Sequence, residues 1–395
     1  MNTTQLKRFK GLNNVSDPLR LKFGWLQTAD NLNITDTGAL ERRDGYSKEF
    51  DGAISGAYTT ADYKRFYIVD GGTLKAVNKD MTMTELKTGL SSQPVHWTEI
   101  NEQVFYTNGL DSGIITKGGA VLDWSWAIPE PTTLVAITGA LPAGTYQVAC
   151  TYVLPDGRET GSADAATIYL DGAHALQIND IPHVAGYLTQ VYIAPADSTV
   201  FQLAYADFAG GSATWNGSVD QLGVDLVTHT FDPIPLGCTH IAAWRGQMYA
   251  AQYFTDSDQT ALWISEPLGF HLFNLNASFI VVPGRVALLA PHADGLVIGT
   301  ESRIYVYDGE GIKEVADYGV VPGYGWAADE DDSKQILFWT QRGVCTALPF
   351  SNITSGHISV DCGLSAGAAI IRKNGAKRFV VALRRGGDNF NQRGQ

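Results

Sequence analysis

The stretch "FYIVDGGTLKAV", residues 66–77, is where the fold can be read. Two alternating apolar runs flank Asp70-Gly71-Gly72-Thr73, and paired glycines admit the positive φ of a tight hairpin turn. Alternation with period two puts the apolar side chains on one face of a strand. The same pattern returns at Val104-Phe105-Tyr106-Thr107-Asn108-Gly109 with Ile114-Ile115, and at Met248-Tyr249-Ala250-Ala251 with Leu262-Trp263-Ile264. Further copies are Leu296-Val297-Ile298-Gly299-Thr300 with Ile304-Tyr305-Val306-Tyr307-Asp308-Gly309, and Ile336-Leu337-Phe338-Trp339 with Gly343-Val344-Cys345-Thr346-Ala347. Phe379-Val380-Val381-Ala382-Leu383 is a shortened sixth. A repeat of about 40 to 50 residues built on hairpins predicts the blades of a β-propeller.

The spacing breaks between Asn108 and Met248. Inside the gap, Tyr146, Val148, Cys150 and Tyr152 alternate, Pro155-Asp156-Gly157 turns, and short runs follow at Ile168–Leu170, Leu176–Ile181 and Val191–Ile193. Pro129-Glu130-Pro131 and Phe231-Asp232-Pro233-Ile234-Pro235 bracket the segment like linkers. A hundred or so residues of strands and turns predict an inserted immunoglobulin- or fibronectin-like β-sandwich. The expected division is 1–128 and 236–395 as two parts of a propeller, with the sandwich at 129–235. Helix is scarce. Ser16-Asp17-Pro18-Leu19-Arg20-Leu21, with a capping residue before proline, predicts one or two turns.

Composition agrees with an all-β chain that buries a core. Of 395 residues, 45% are hydrophobic, 17% charged and 42 are glycine. A net charge of −13 disfavours nucleic-acid binding by charge attraction. The cysteines Cys150, Cys238, Cys345 and Cys362 lack any C-x-x-C spacing and read as four buried thiols in a reducing compartment. No secretory leader and no membrane-length apolar run is visible, so synthesis in a cytoplasm is expected.

Several motifs fall short of chemistry. Gly363-Leu364-Ser365-Ala366-Gly367 matches G-x-S-x-G, but His357, the last histidine, precedes the serine and the context is β rather than α/β. Thr255-Asp256-Ser257-Asp258-Gln259-Thr260 resembles a sialidase Asp-box without its glycine and reads as a solvated turn within a blade. Asp329-Glu330-Asp331-Asp332 lacks the glycine and final glutamate of an EF-hand loop and reads as a charged blade-to-blade turn. The eight histidines show no metal-ligand spacing, and no phosphate-binding loop is present, so neither metal nor cofactor is expected.

Two series of short motifs carry a resemblance. The first is Phe9-Lys10-Gly11-Leu12-Asn13-Asn14, Asp17-Pro18, Ala29-Asp30-Asn31 and Gly38-Ala39-Leu40-Glu41-Arg42-Arg43-Asp44-Gly45. The second is Arg245-Gly246-Gln247-Met248-Tyr249, Ser265-Glu266-Pro267 and Gly295-Leu296-Val297-Ile298. Together they resemble structural proteins of the neck and tail of tailed bacteriophages, in particular the hub or nozzle propellers of short-tailed phages. The resemblance spans everything except the inserted segment.

It implies a non-enzymatic virion protein that forms a ring, expected to hold six copies, around the DNA exit channel below the portal and adaptor. The implied partners are further copies of itself, adaptor and portal-proximal neck proteins, tail fibres or tailspikes, and double-stranded DNA passing without specific binding. The expected location is the virion. Ala39-Leu40-Glu41-Arg42 is expected to complete the last blade, hiding two sheet edges. Arg42 and Arg43 are then expected to meet carboxylates or a neighbouring subunit. Arg245 joins them as an assembly candidate. Asp256, Asp258, Asp329, Glu330, Asp331 and Asp332 are candidates for lining the channel or meeting basic partners. The competing readings are a propeller-type glycan hydrolase and a carbohydrate-binding adhesin using Trp124, Trp126 and Trp215.

Overall fold

The computed structural model describes residues 8–35, 37–45, 47–48, 50–124, 126–329, 336–373 and 376–386. Among these residues the chain is all-β with two short 3-10 turns, Pro18–Arg20 and Val219–Gln221. The first matches the expected capped turn: Asp17 Oδ1 accepts from Leu19 N at 2.9 Å.

Five antiparallel sheets of four or five strands follow one another as blades. They span 54–87, 96–122, 238–283, 286–316 and 326–352. A sixth is the ribbon Ser365–Lys373 with Ala376–Arg384, joined by the short parallel strand Gly323–Tyr324. The expected hairpins are the middle strands of these blades: Phe66–Asp70 pairs with Thr73–Val77, Gln103–Thr107 with Ser112–Ile115, and Ile336–Thr340 with Gly343–Thr346.

What makes the blades a ring is the packing between them. Each hydrophobic cluster of the ring joins two neighbours. Val69, Leu74, Trp97 and Val104 join the first blade to the second. Phe105, Trp124, Ile241 and Met248 join the second to the third, and Trp244, Leu262, Leu289 and Ile298 the third to the fourth. Val297, Val320, Ile336 and Phe338 join the fourth to the fifth, and Val321, Trp339 and Ala366 the fifth to the sixth. The first strands adjoin around the axis: Val95 N donates to Ser55 O at 2.9 Å, and Ala243 N to Thr98 Oγ1 at 3.0 Å. Between sixth and first lies a groove of about 630 Å³ walled largely by small residues, among them Ser55, Gly71, Gly323, Gly367 and Ala382.

The inserted unit has seven strands in two sheets. Thr133–Leu141, His174–Ile181 and Gly211–Trp215 form one. Ala166–Leu170, Gly144–Val153, Leu188–Ala194 and Gln202–Phe208 form the other. Their facing side chains, including Tyr146, Val148, Leu176, Ile178, Val191 and Ile193, make a core of their own. It touches the ring through Arg158, which donates to the carbonyls of Asp123 and Trp124, and through Glu159 O, a partner of His271 Nε2 at 3.0 Å.

Three expectations are corrected. The strand Leu40–Arg42 spends its ladder on Leu32–Ile34 and forms none with the last blade. Asp329 follows the first strand of the fifth blade, so the acidic turn is internal to that blade; Glu330, Asp331 and Asp332 lie outside the described residues. Of the four free thiols, Cys362 is only half-buried.

The sandwich core shares no cluster with the ring, so residues 129–235 expressed alone should melt cooperatively. Conversely, Trp124 is fully buried, edge-on to Phe105 at 5.1 Å, with Nε1 donating to Phe270 O. Trp124→Ala should cost the ring about 3–5 kcal/mol. Calorimetry of the full chain should show one transition lowered and a sandwich transition unmoved; a single transition shifted as a whole would contradict the division.

Candidate functional site

The N-terminal series builds a clasp. Gly11–Leu12 runs parallel to Trp25–Leu26, and Phe9 N donates to Gly38 O at 2.8 Å. Gly38 sits at φ 81°, and a Cβ there would lie 3.1 Å from Arg8 Cβ, so a side chain would meet both a backbone and a steric penalty. Asn13 Oδ1 accepts from Ser16 N at 3.0 Å, ordering the turn before Asp17.

Asn14 then reaches the far end of the chain. Its N donates to His357 O at 3.0 Å, its Nδ2 to Ser359 O at 2.7 Å, and its Oδ1 accepts from Ser359 N at 2.8 Å. Trp25 stacks on His357 with ring centroids 4.9 Å apart. Glu41 Oε1 accepts from Arg378 Nη2 at 2.8 Å. The motif residues thus pin the arm to the loop before the sixth blade and to its second strand. Glu41 makes the ion pair that was expected of Arg42 or Arg43, and both arginines are exposed.

The second series meets at the joint of the third and fourth blades. Arg245 and Gly246, at φ 48° and 75°, form the two-residue turn between Cys238–Trp244 and Gln247–Phe254. Arg245 lies over the Trp244 ring at 4.3 Å and donates from Nη1 to Asp308 O at 2.8 Å. Trp244 Nε1 donates to His292 O at 2.7 Å. Ser265 Oγ accepts from Met248 N and donates to Glu266 O. Arg245 therefore bridges two blades within one chain.

The acidic candidates are scattered. Asp256 and Asp258 stand on the turn between the second and third strands of the third blade, not on its axial strand. Asp258 accepts from Tyr253 OH at 2.9 Å. Asp329 is largely covered: Lys377 Nζ donates to both its oxygens at 2.8 and 3.0 Å, and Arg372 lies at 3.9 Å. It ties the fifth blade to the sixth rather than standing free. The structure does not bring Arg42, Arg43, Arg245, Asp256, Asp258 and Asp329 into one site.

Sequence reasoning missed a histidine pair. His96 and His240, on the axial strands of the second and third blades, lie with ring centroids 3.7 Å apart and planes tilted by 40°. Their strands meet only in three dimensions, so no spacing could reveal them. Burial holds His96 near a pKa of about 4. Burial first, then His96 and Arg285, push His240 well below the usual imidazole range, against a backbone hydrogen bond with Ala287. Burial also raises the thiols of Cys150, Cys238 and Cys345, Cys150 to about 12. These groups are neutral at neutral pH, which suits packing better than nucleophilic or base chemistry. Ser365 of the G-x-S-x-G match opens a strand, not a strand-to-helix turn. Trp124 and Trp215 are core residues, and Trp126 stacks on Tyr187 at 4.7 Å.

No family model matches this chain, and no curated protein does. Among solved structures, it is similar to a streptogramin B lyase at 10% identity and TM-score 0.34, over 78% of this chain and 85% of that one. A virginiamycin B lyase from Staphylococcus aureus gives 12% and 0.33, over 85% and 94%. The hydrazine synthase of Kuenenia stuttgartiensis gives 8% and 0.34, over 76% and 80%. At those values the likenesses assign no activity, and the ring of sheets stands on the chain's own ladders.

Two outcomes follow from the clasp and the pair. Deleting residues 1–46 should expose the 357–361 loop and the sixth blade, giving aggregation on gel filtration; a soluble monomer with an unchanged melt would contradict the clasp's role. Because folded His96 binds its proton less readily than the unfolded chain, stability should be whole above about pH 6.5 and fall toward pH 4. His96→Phe keeps the ring contact and should lessen that fall in melts recorded against pH, leaving the part that His240 carries.

Proposed function

We propose that this chain is a structural protein of a bacteriophage tail or neck, a hub or nozzle component. Six copies would form a ring around the DNA exit channel below portal and adaptor, taking part in genome retention and ejection. Its work is assembly rather than catalysis.

One observation carries the reading. The residues that resemble the phage proteins are those that build the arm clasp and the Trp244–Arg245 joint. They serve architecture, and they lie in the N-terminal arm and at the joint of the third and fourth blades. Net charge supports it: duplex DNA carries one negative charge per about 1.7 Å of axis, and a strongly basic wall would retain it. Most of the −13 lies in the inserted segment, and the propeller parts, at −3, carry no net basic charge to hold DNA.

Mass spectrometry of purified virions checks the reading. The chain should be present at a few to a dozen copies per particle. Its absence from particles, with turnover of a glycan by the isolated protein, would replace the structural reading with the hydrolase one. Absence from particles with glycan binding but no turnover would favour the adhesin.

A further inference from the structure

Charge is divided unevenly along this chain. Residues 129–235 hold eleven acids against Arg158 alone, a net −10 of the chain's −13. Residues 371–386 hold six of the 28 lysines and arginines and no acid of their own, four of the six being met by Asp329, Glu41 and Asp361. The acidic sandwich leaves the ring between the second and third blades, whereas the basic ribbon is the sixth. They are on opposite sides of a ring of six, so within one chain neither covers the other.

Each also exposes apolar surface. In the sandwich, Val219, Val224 and Val227 are 55%, 69% and 78% exposed, with Asp220 and Asp225 exposed among them. Across the molecule, a groove of about 650 Å³ runs between the N-terminal hairpin and the strand Ala376–Arg384. Leu32, Ile34, Ile371, Phe379 and Val381 line it. Arg43 and Asp44 share its rim with Arg378, which Glu41 already engages, and Arg42 is exposed on the same hairpin.

We propose that residues 219–227 of one copy dock in this groove of the next, with Asp220 and Asp225 facing Arg42 and Arg43. The valines fill the apolar floor and the charges set the register. The contact is head-to-tail. Two copies meeting by the same face would set basic ribbon against basic ribbon, or acidic sandwich against acidic sandwich, and like charges disfavour both. A head-to-tail contact repeats until it closes into a ring or runs on as a filament. The choice of a second copy as partner rests on the ring reading above. The contact itself is tested without virions.

Sedimentation velocity of the full chain is the readout. At about 0.05 M salt the protein should associate beyond the monomer, and about 0.5 M salt should dissociate it as screening shortens. Asp220→Lys with Asp225→Lys, and separately Arg42→Glu with Arg43→Glu, should each weaken association about tenfold or more while leaving the circular dichroism melt unchanged. Mixing these two variants sets an intact acidic face in an intact basic groove and a lysine-bearing face in a glutamate-bearing groove, so the mixture should associate although neither variant does alone. Combining all four reversals in one chain should restore association. A wild-type monomer at low salt, or variants that associate like wild type, would overturn the contact. Wild-type rings that ignore the reversals would overturn this contact and leave the ring reading standing. Reversal-sensitive rings from a chain missing in virions would do the opposite.

Discussion

A blade of four strands with apolar residues on both faces is not stable alone in water; it needs a second layer on each side. Here that second layer is always the next blade. Trp97, Trp124, Trp244 and Trp339 all sit in such joints, and each blade's middle hairpin is buried because its neighbours stand against it. The arrangement has a price at the last joint, where the sixth sheet meets the first. Small residues there leave a groove instead of a core. The N-terminal arm compensates from the rim, holding the ribbon by Asn14 and Glu41.

The same burial explains what was legible in the sequence. Residues such as Val69, Phe105, Ile298 and Phe338 lie in strands buried on both faces, so their hairpins stand out as apolar runs separated by turns. Axial strands read poorly. His96–Ile100 and Cys238–Trp244 mix histidine and threonine with apolar residues, because one face meets the axis and hydrogen bonds cross it. Outer strands such as Met83–Lys87 are half-exposed and short, with little pattern to find.

The sandwich was legible for the same reason as the hairpins: alternation at Tyr146, Val148 and Cys150 is how a one-sided core is written. The clasp was not. Asn14 matters through its amide's reach to the backbone at Ser359, and nothing local distinguishes it from any loop asparagine. Its neighbours could be flagged by resemblance, but the partner could not. Likewise, the acidity at Asp329 reads as solvent-facing in sequence, whereas Lys377 and Arg372 of another strand cover it. Ion pairs between blades are made by topology, which a linear reading of charge cannot supply.

The clasp joins residues near position 14 to residues near position 359, almost the whole length of the chain. Thermodynamically such a closure is cheap, because loop entropy grows only with the logarithm of length. Kinetically it is late. On a ribosome the arm emerges first and waits while five blades and the sandwich are made, its own edges uncovered. Only when the loop around Ser359 leaves the exit tunnel can Asn14 engage it. A nascent chain stopped before that point would carry every blade up to the fifth and still be an open arc. The hairpin groove and the basic ribbon would be missing from it, so a half-made subunit would have no finished face with which to join others.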